Sequence, residues 1–382
     1  MTQQKILVSH CGSLPRPKAL LDAMKAKLQA KQPLTGDAAY DTLLAGAVAD
    51  TVAEQVACGI DIVSDGEFSK PGFFSYVKQR LTGFEERPEA KRVMFPAEVN
   101  AFPEYYADYF ARAMTGGAVA PVVPVVCVAP VRYQGQAAIA ADLKHLTDAI
   151  AAQRKAGKEV TGAFVPACAP SGAGDNEYYK TEEEYFEAVG EAMREEYLAI
   201  VDAGFQVQVD DPFLCDIFVD PALDETQKQR RAGLYVEAIN HAVRGIAAEK
   251  IRFHTCYGIN EGPRIHEAAL AQVAGHMLKV NAGAYSFEAA NARHEHEYHL
   301  WETTKLPAGK KLIPGVITHA SNIVEHPELI KERLGRFAKL VGAENVIAGT
   351  DCGFSSQASY KTEVHPTVVR EKFKAMAEGA GL

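Results

Sequence analysis

No apolar run in this 382-residue chain approaches the roughly 20 residues that a membrane-spanning helix requires. Its start, Met-Thr-Gln-Gln-Lys-Ile-Leu-Val-Ser-His, lacks the apolar core of a secretory leader, so the expected location is cytoplasmic and no membrane partner is expected. Clusters of lysine or arginine are missing too: 49 acidic and 40 basic residues are spread along the chain, giving a net charge of −9 and excluding a phosphate-tracking surface. Nucleic acid is therefore not an expected partner. Cysteine is sparse and odd in number, with seven widely spaced residues at 11, 58, 127, 168, 215, 256 and 352. That pattern argues against a disulfide framework and for reduced thiols or metal ligands. Low-complexity tracts, interdomain linkers and long repeats are absent, while an apolar fraction of 47% and a charged fraction of 23% fit an ordinary globular protein.

What is present is a steady alternation of short apolar runs with amphipathic stretches, the pattern of strand-helix units around a parallel sheet. Eight strands are expected, at Ile6–Ser9, Asp61–Ser64, Gly162–Pro166, Phe205–Val209, Ile251–His254, Gly283–Phe287, Lys311–Val316 and Asn345–Gly349. Several are apolar at nearly every position, as strands covered on both faces are. Between them, Phe186, Val189, Met193, Tyr197 and Ile200 form one helical stripe, and Ile330, Leu334, Phe337 and Val341 another. Gly204 and Gly342 follow as helix stops. Eight such units predict a closed (β/α)8 TIM barrel, with an open doubly wound sheet as the rival. The stretch from about 83 to 135 fits the repeat poorly. Its prolines at 96, 121, 124 and 130 among β-prone residues mark an excursion after the second strand, with a hairpin, inside a single catalytic domain spanning 1–382.

In a barrel of this kind the C-terminal strand ends share one mouth, so residues far apart in sequence meet there. His254 and Cys256 end the fifth expected strand, Glu288 the sixth, and Cys352 follows the eighth. Imidazole beside soft sulfur suits Zn²⁺, and positions two apart at a strand end point to the same side. His-x-Cys alone is a weak pattern, because a single cysteine is more often a small buried hydrophobe. Here the second cysteine lies in Thr350-Asp351-Cys352-Gly353-Phe354, a polar loop where no packing role is evident. The run His294-Glu295-His296-Glu297 invites a metalloprotease reading, but its histidines are not one helical turn apart and it reads as a solvated face. Cys11, beside the expected site, reads as a packed thiol.

Five separated motifs in order resemble the catalytic barrel of cobalamin-independent methionine synthase and its single-barrel relatives: Cys11-Gly12-Ser13-Leu14-Pro15-Arg16-Pro17, Ser64-Asp65-Gly66-Glu67-Phe68, Val207-Gln208-Val209-Asp210-Asp211-Pro212, His254-Thr255-Cys256-Tyr257 and Asp351-Cys352-Gly353. The resemblance implies a (β/α)8 barrel with zinc on His254, Cys256, Glu288 and Cys352. It also implies that Ser13, Glu67 and Asp210 hold the thiol substrate, homocysteine in the full synthase. Two carboxylates at strand ends near a metal suit an ammonium or another polar head group, and the alternative is that they cap loops or helices.

Several positions depart from that family's pattern. There is one barrel rather than two, so the barrel that helps the synthase grip a polyglutamyl folate is missing, and Asp211 stands where a glutamate is usual before Pro212. His319, in Thr318-His319-Ala320, falls close to the expected proton donor but one position out of register. The stretch Ser286-Phe287-Glu288-Ala289-Ala290-Asn291 is more similar to the single-barrel branch that includes epoxyalkane:coenzyme M transferases. The expected activity is alkylation of a zinc-activated thiol, a free thiol of pKa near 8.5 being only a few per cent ionised at neutral pH. Methyl transfer is the first reading, with epoxide opening as the alternative; His319 would protonate the leaving atom, and the partners are a small-molecule thiol and an alkyl donor. A metal-free decarboxylase-like barrel and a zinc-stabilised binding protein are the rivals from other classes.

Overall fold

The computed structural model describes residues 5–90, 94–113, 116–258 and 261–382. Its central sheet has eight parallel strands: β1 (Leu7–Val8), β2 (Ile62–Val63), β3 (Gly162–Cys168), β4 (Gln206–Asp210), β5 (Ile251–His254), β6 (Ala284–Phe287), β7 (Lys311–Ile317) and β8 (Ile347–Thr350). In space they run β1-β8-β7-β6-β5-β4-β3-β2, so sequence neighbours are sheet neighbours throughout. The two ends of that order meet, since the Asp61 N–H donates to Val8 O at 3.0 Å and the Ser9 hydroxyl to Ile62 O at 3.3 Å. The (β/α)8 barrel is borne out, and each expected strand coincides with an observed one to within a few residues.

Alternation along the strands sorts the interior into layers. Ile62, Phe164, Ala284, Ile313 and Ile347 form one apolar cluster inside the barrel, while Val63, Val165, Val207, Phe253, Tyr285 and Ala348 belong to the larger core shared with the helices. Because side chains alternate with a period of two, Gln208, Arg252 and Ser286 come next along the axis and then Asp210, His254 and Glu288. Arg252 is 1% exposed; its guanidinium lies 3.8 Å from the Phe164 ring centre and donates to Ser9 Oγ at 2.9 Å and His10 O at 3.0 Å. The barrel thus passes from an apolar floor through a hydrogen-bonded polar layer to the mouth.

Helices cover the outside in the way their stripes dictate. The helix Glu182–Asp202 starts where Thr181 accepts the Glu184 N–H at 3.1 Å, buries Phe186, Val189, Met193, Tyr197 and Ile200, and is followed by Gly204 at φ +92°. The helix Pro327–Val341 buries Ile330, Leu334 and Phe337 and stops at Gly342, φ +90°. Burying each such side chain contributes roughly 1.5–3 kcal/mol.

The excursion after β2 builds a cover over the mouth. Phe84–Glu86 pairs antiparallel with Val125–Cys127, which in turn pairs parallel with Asp175–Asn176. Between the antiparallel strands lie the helices Pro96–Ala101 and Pro103–Arg112; residues 91–93 and 114–115 of this stretch fall outside the described residues. Tyr109 donates its hydroxyl to Glu363 at 3.0 Å, and Glu98 accepts the His266 N–H at 2.6 Å. Those contacts tie the excursion to loops that follow β5 and β8.

Candidate metal centre and substrate cavity

His254 ends β5, and one more pleat brings Cys256 to the same side; Cys352 arrives from the loop after β8. Their donor atoms all lie within 4.8 Å of one another, and the two sulfurs are 3.3 Å apart as free thiols. Burial is near complete, with exposures of 4%, 5% and 7%. His254 Nδ1 is held 3.0 Å from Asp210 Oδ1, whereas its Nε2 is buried with no hydrogen-bond partner. A carboxylate on one ring nitrogen and an open second nitrogen beside two sulfurs could hold a metal ion. The electrostatics agree. Burial opposes charge on the imidazole, but Cys11, Asp210 and Cys256 together push its pKa well up. The hydrogen bond from Cys352, aided by His254, pulls Cys256 down against burial, while the same bond and burial push Cys352 up.

Glu288, the fourth expected ligand, does not join this cluster. Its Oε2 accepts from Arg264 at 2.6 Å and from the Asn291 side chain at 2.7 Å, and its Oε1 meets only the Tyr257 N–H at 3.3 Å. With His319 and Asp351 it forms a second buried group whose ligand atoms also lie within 4.8 Å of one another. His319 is 1% exposed, is pushed down to about 3 chiefly by burial, and leaves Nδ1 without a partner. Neither Glu288 nor His319 lines the large cavity at the mouth.

That cavity, about 1280 Å³, is lined by Cys11, Ser13, Glu67, Asp210, His254, Cys256 and Cys352 among others. The three expected substrate residues therefore share one space with His254, Cys256 and Cys352. Glu67 sits at φ +59° and is 2% exposed. Burial pushes its carboxyl up to about 7, Lys70 opposes this and Asp210 adds to it, and Oε2 has no hydrogen-bond partner. Lys70 donates instead to Pro166 O at 2.5 Å and lies 3.9 Å from that oxygen. Ser13 packs on Gly353 so closely that a Cβ there would meet its hydroxyl at 1.9 Å, which explains the glycine after Cys352. Asp210 has a second task, since it also accepts from Gln208 at 2.9 Å.

Other members of the site had no task legible in the sequence. Arg16 bridges three loops, donating to Glu67 O at 2.6 Å, Lys70 O at 2.8 Å and Ser355 O at 3.0 Å. Arg264 follows a loop without periodicity. Asp351 and Asn291 were visible as motif neighbours, but only the fold gives them tasks. Asp351 accepts the Ala289 and Ala290 N–H groups at 2.7 Å each and the Asn291 side chain at 3.0 Å, and so fixes the turn that carries Glu288.

Comparison with known proteins gives the family and the fold. The family model for the catalytic domain of cobalamin-independent synthase matches residues 172–376. A methionine synthase of Sulfolobus acidocaldarius is 22% identical over 343 residues, covering 90% of this chain and 84% of that protein. A 2-hydroxypropyl-CoM lyase of Xanthobacter autotrophicus is 23% identical over 403 residues, covering 98% and 94%. Among solved structures, a B12-independent methionine synthase from Shewanella sp. W3-18-1 in complex with selenomethionine superposes with a TM-score of 0.70 at 21% identity, covering 99% of this chain and 97% of that one, which establishes a shared fold. Among the described residues, no helix is long and apolar enough to cross a membrane.

Proposed function

Because this chain belongs to the family of the cobalamin-independent synthase catalytic domain, we propose that it is a zinc-dependent transferase that activates a small-molecule thiol and alkylates it, by methyl transfer of the methionine-synthase kind. The carrying observation is the His254, Cys256 and Cys352 cluster at the wall of a 1280 Å³ cavity, with the His254 Nε2 left open. Those three residues would hold Zn²⁺, with Glu288 as the fourth ligand. The ion, once held, lowers the pKa of a coordinating thiol so that it is ionised at neutral pH.

The remaining tasks fall to the chain itself. Asp210 fixes the tautomer and orientation of His254 through Nδ1. Glu67, which lines the same space and whose Oε2 accepts no hydrogen bond, suits a cationic head group on the thiol, and Ser13 on the same cavity wall offers a hydroxyl. The excursion and the Cys352 loop enclose the cavity, which reduces water at the attacked carbon. Attack of sulfur on a methyl carbon forms the S–C bond as the bond from that carbon to the donor breaks, and the electron pair leaves with the donor. His319, buried behind the Cys352 loop, does not reach the cavity; as proton donor it would act only through an intermediary.

Charge bears on the donor. Among the described residues, nine aspartates and glutamates and three lysines and arginines line the cavity, a charge balance that favours a donor without a polyanionic tail. Epoxide opening is the second reading, supported by the Ser286–Asn291 stretch and by the lyase relative that aligns over 98% of this chain. A cluster facing a cavity supports catalysis over a purely structural ion, whose four ligands would be closed off from substrate.

The test is zinc content together with zinc-edge X-ray absorption in the presence of a panel of thiols, on the native chain and on Cys352→Ala and His254→Ala. One zinc per native chain, an added sulfur with one thiol, and loss of zinc and turnover together in folded variants are expected. A variant that turns over normally without metal would sink the reading.

A further inference from the structure

Glu288 is held in a frame that does more than bury it. Arg264, 3% exposed and at φ +55°, places Nη2 2.6 Å from Glu288 Oε2 and Nε 2.6 Å from Glu267 Oε1. Glu267 is clamped from its other side by His294 Nε2 at 3.0 Å, and His294 Nδ1 is 2.8 Å from Glu297. The His294 ring stacks on Tyr257 at 4.1 Å with an interplanar angle of 8°. The guanidinium is therefore fixed by an ion-pair chain on a rigid aromatic stack. Across the carboxylate, Asn291 donates to the same Oε2 and is itself anchored on Asp351. Only Oε1, next to the backbone of Tyr257, is weakly engaged, and Tyr257 directly follows the ligand Cys256.

We propose that Arg264 is a positioning residue that receives the Glu288 carboxylate when a thiol takes its place among the ligands, so that Arg264 sets the balance between metal retention and thiol binding. This rests on the zinc reading above. The charges balance: the incoming thiol gives its proton to solvent, its thiolate brings one negative charge to the ligand set and the departing carboxylate removes one. A buried carboxylate that left the set with no cation to meet would be strongly disfavoured. With Arg264 in place, the released form is already paired and hydrogen-bonded. The same pairing competes with the metal for Glu288 in the absence of thiol. Arg264 should therefore weaken metal binding to the thiol-free protein and strengthen thiol binding to the metal-loaded one.

The opposite signs make the test specific. Zn²⁺ affinity is measured by competition with a chromophoric chelator, and thiol binding by the visible absorption of the Co²⁺-loaded protein titrated with 2-mercaptoethanol. Native chain, Arg264→Met, Arg264→Lys and Glu288→Gln are compared, with circular dichroism to check folding. Arg264→Met is expected to bind Zn²⁺ about tenfold tighter and to need about tenfold more thiol for the same spectral change. Arg264→Lys should fall between, and it carries the test if the methionine variant does not fold. In the Glu288→Gln background, replacing Arg264 should no longer move the thiol response. Weaker Zn²⁺ binding by Arg264→Met, or an unchanged thiol titration, overturns the assignment while leaving the zinc reading intact. A native chain that takes up neither ion overturns the zinc reading itself and this assignment with it.

Discussion

Asp210 Oδ1 accepts the Nδ1 proton of His254 at 3.0 Å, and this one bond couples a residue expected to hold substrate to a residue expected to hold metal. On the proposed function, substrate and metal roles at this position are therefore not separable. Replacing Asp210 by Ala is predicted to lower zinc affinity by about ten- to a hundredfold, the usual range for an outer-shell partner of a metal-bound histidine, and to raise the KM of the thiol as well. Equilibrium dialysis against zinc alongside steady-state kinetics checks this. Unchanged zinc affinity would return Asp210 to a purely substrate-binding role.

Glu67 is the cleaner probe of head-group recognition, because its side chain makes no hydrogen bond to the clustered ligands. Its carboxyl is pushed up to about 7 by burial, so it ionises across the neutral range. A thiol bearing an ammonium should bind more tightly as pH rises toward that value and level off above it, and Glu67→Gln should flatten the profile. For the substrate-free protein the sign is opposite. The folded state holds a proton that the unfolded state has released above about 4.5, so this group's stabilising contribution is present below 4.5 and is lost as pH rises through about 7. Glu67→Gln should accordingly stabilise the substrate-free protein at pH 8, as read from denaturant midpoints.

His10 makes a prediction about acid stability that involves no substrate. Nε2 lies 2.8 Å from Gln55 Oε1 and Nδ1 accepts the Gly12 N–H at 3.1 Å, which fixes a neutral ring. Burial lowers its pKa from 6.5 to about 3, against the Gln55 hydrogen bond. The unfolded chain takes up this proton below pH 6.5 and the folded chain does not until about pH 3. Stability is therefore fully present above 6.5 and falls with acid, at roughly 1.4 kcal/mol per pH unit for each such histidine. His10→Asn should reduce by one the protons taken up on unfolding between pH 4 and 6, measured on metal-free protein by urea melts. An unchanged slope would show that this ring already titrates in the folded state.

The barrel was legible because each β-strand had to be apolar on the outward pleat and each helix had to carry a stripe, patterns that do not depend on distant residues. Val207 and Val209, or Phe186 and Met193, reveal their burial locally. The cluster of His254, Cys256 and Cys352 was legible for another reason: chemically distinctive residues stood at strand ends, where a barrel gathers them. What stayed hidden depends on long-range pairing. Nothing near residue 264 signals that this arginine meets Glu288, 24 positions away, because a buried ion pair leaves no periodic trace. Asp210 was expected to face substrate alone; its hydrogen bond to His254 follows from the β4 to β5 register, in which those two residues are direct partners. The withdrawal of His319 from the cavity likewise follows from where the loop after β7 packs.

The layered interior has an implication for how this molecule tolerates change. Arg252 and His254 share one side of β5, and Phe253 between them faces the helices. Inserting or deleting a single residue within that strand would exchange the two sides, turning the imidazole into the greasy shell and the benzyl group into the lumen. Segments of the excursion, by contrast, contribute walls without sharing that parity. Length changes there alter the shape of the vestibule while His254, Cys256 and Cys352 stay where they are, so on the proposed function a change of alkyl donor is expected to be written in residues 84–135 rather than in the staves.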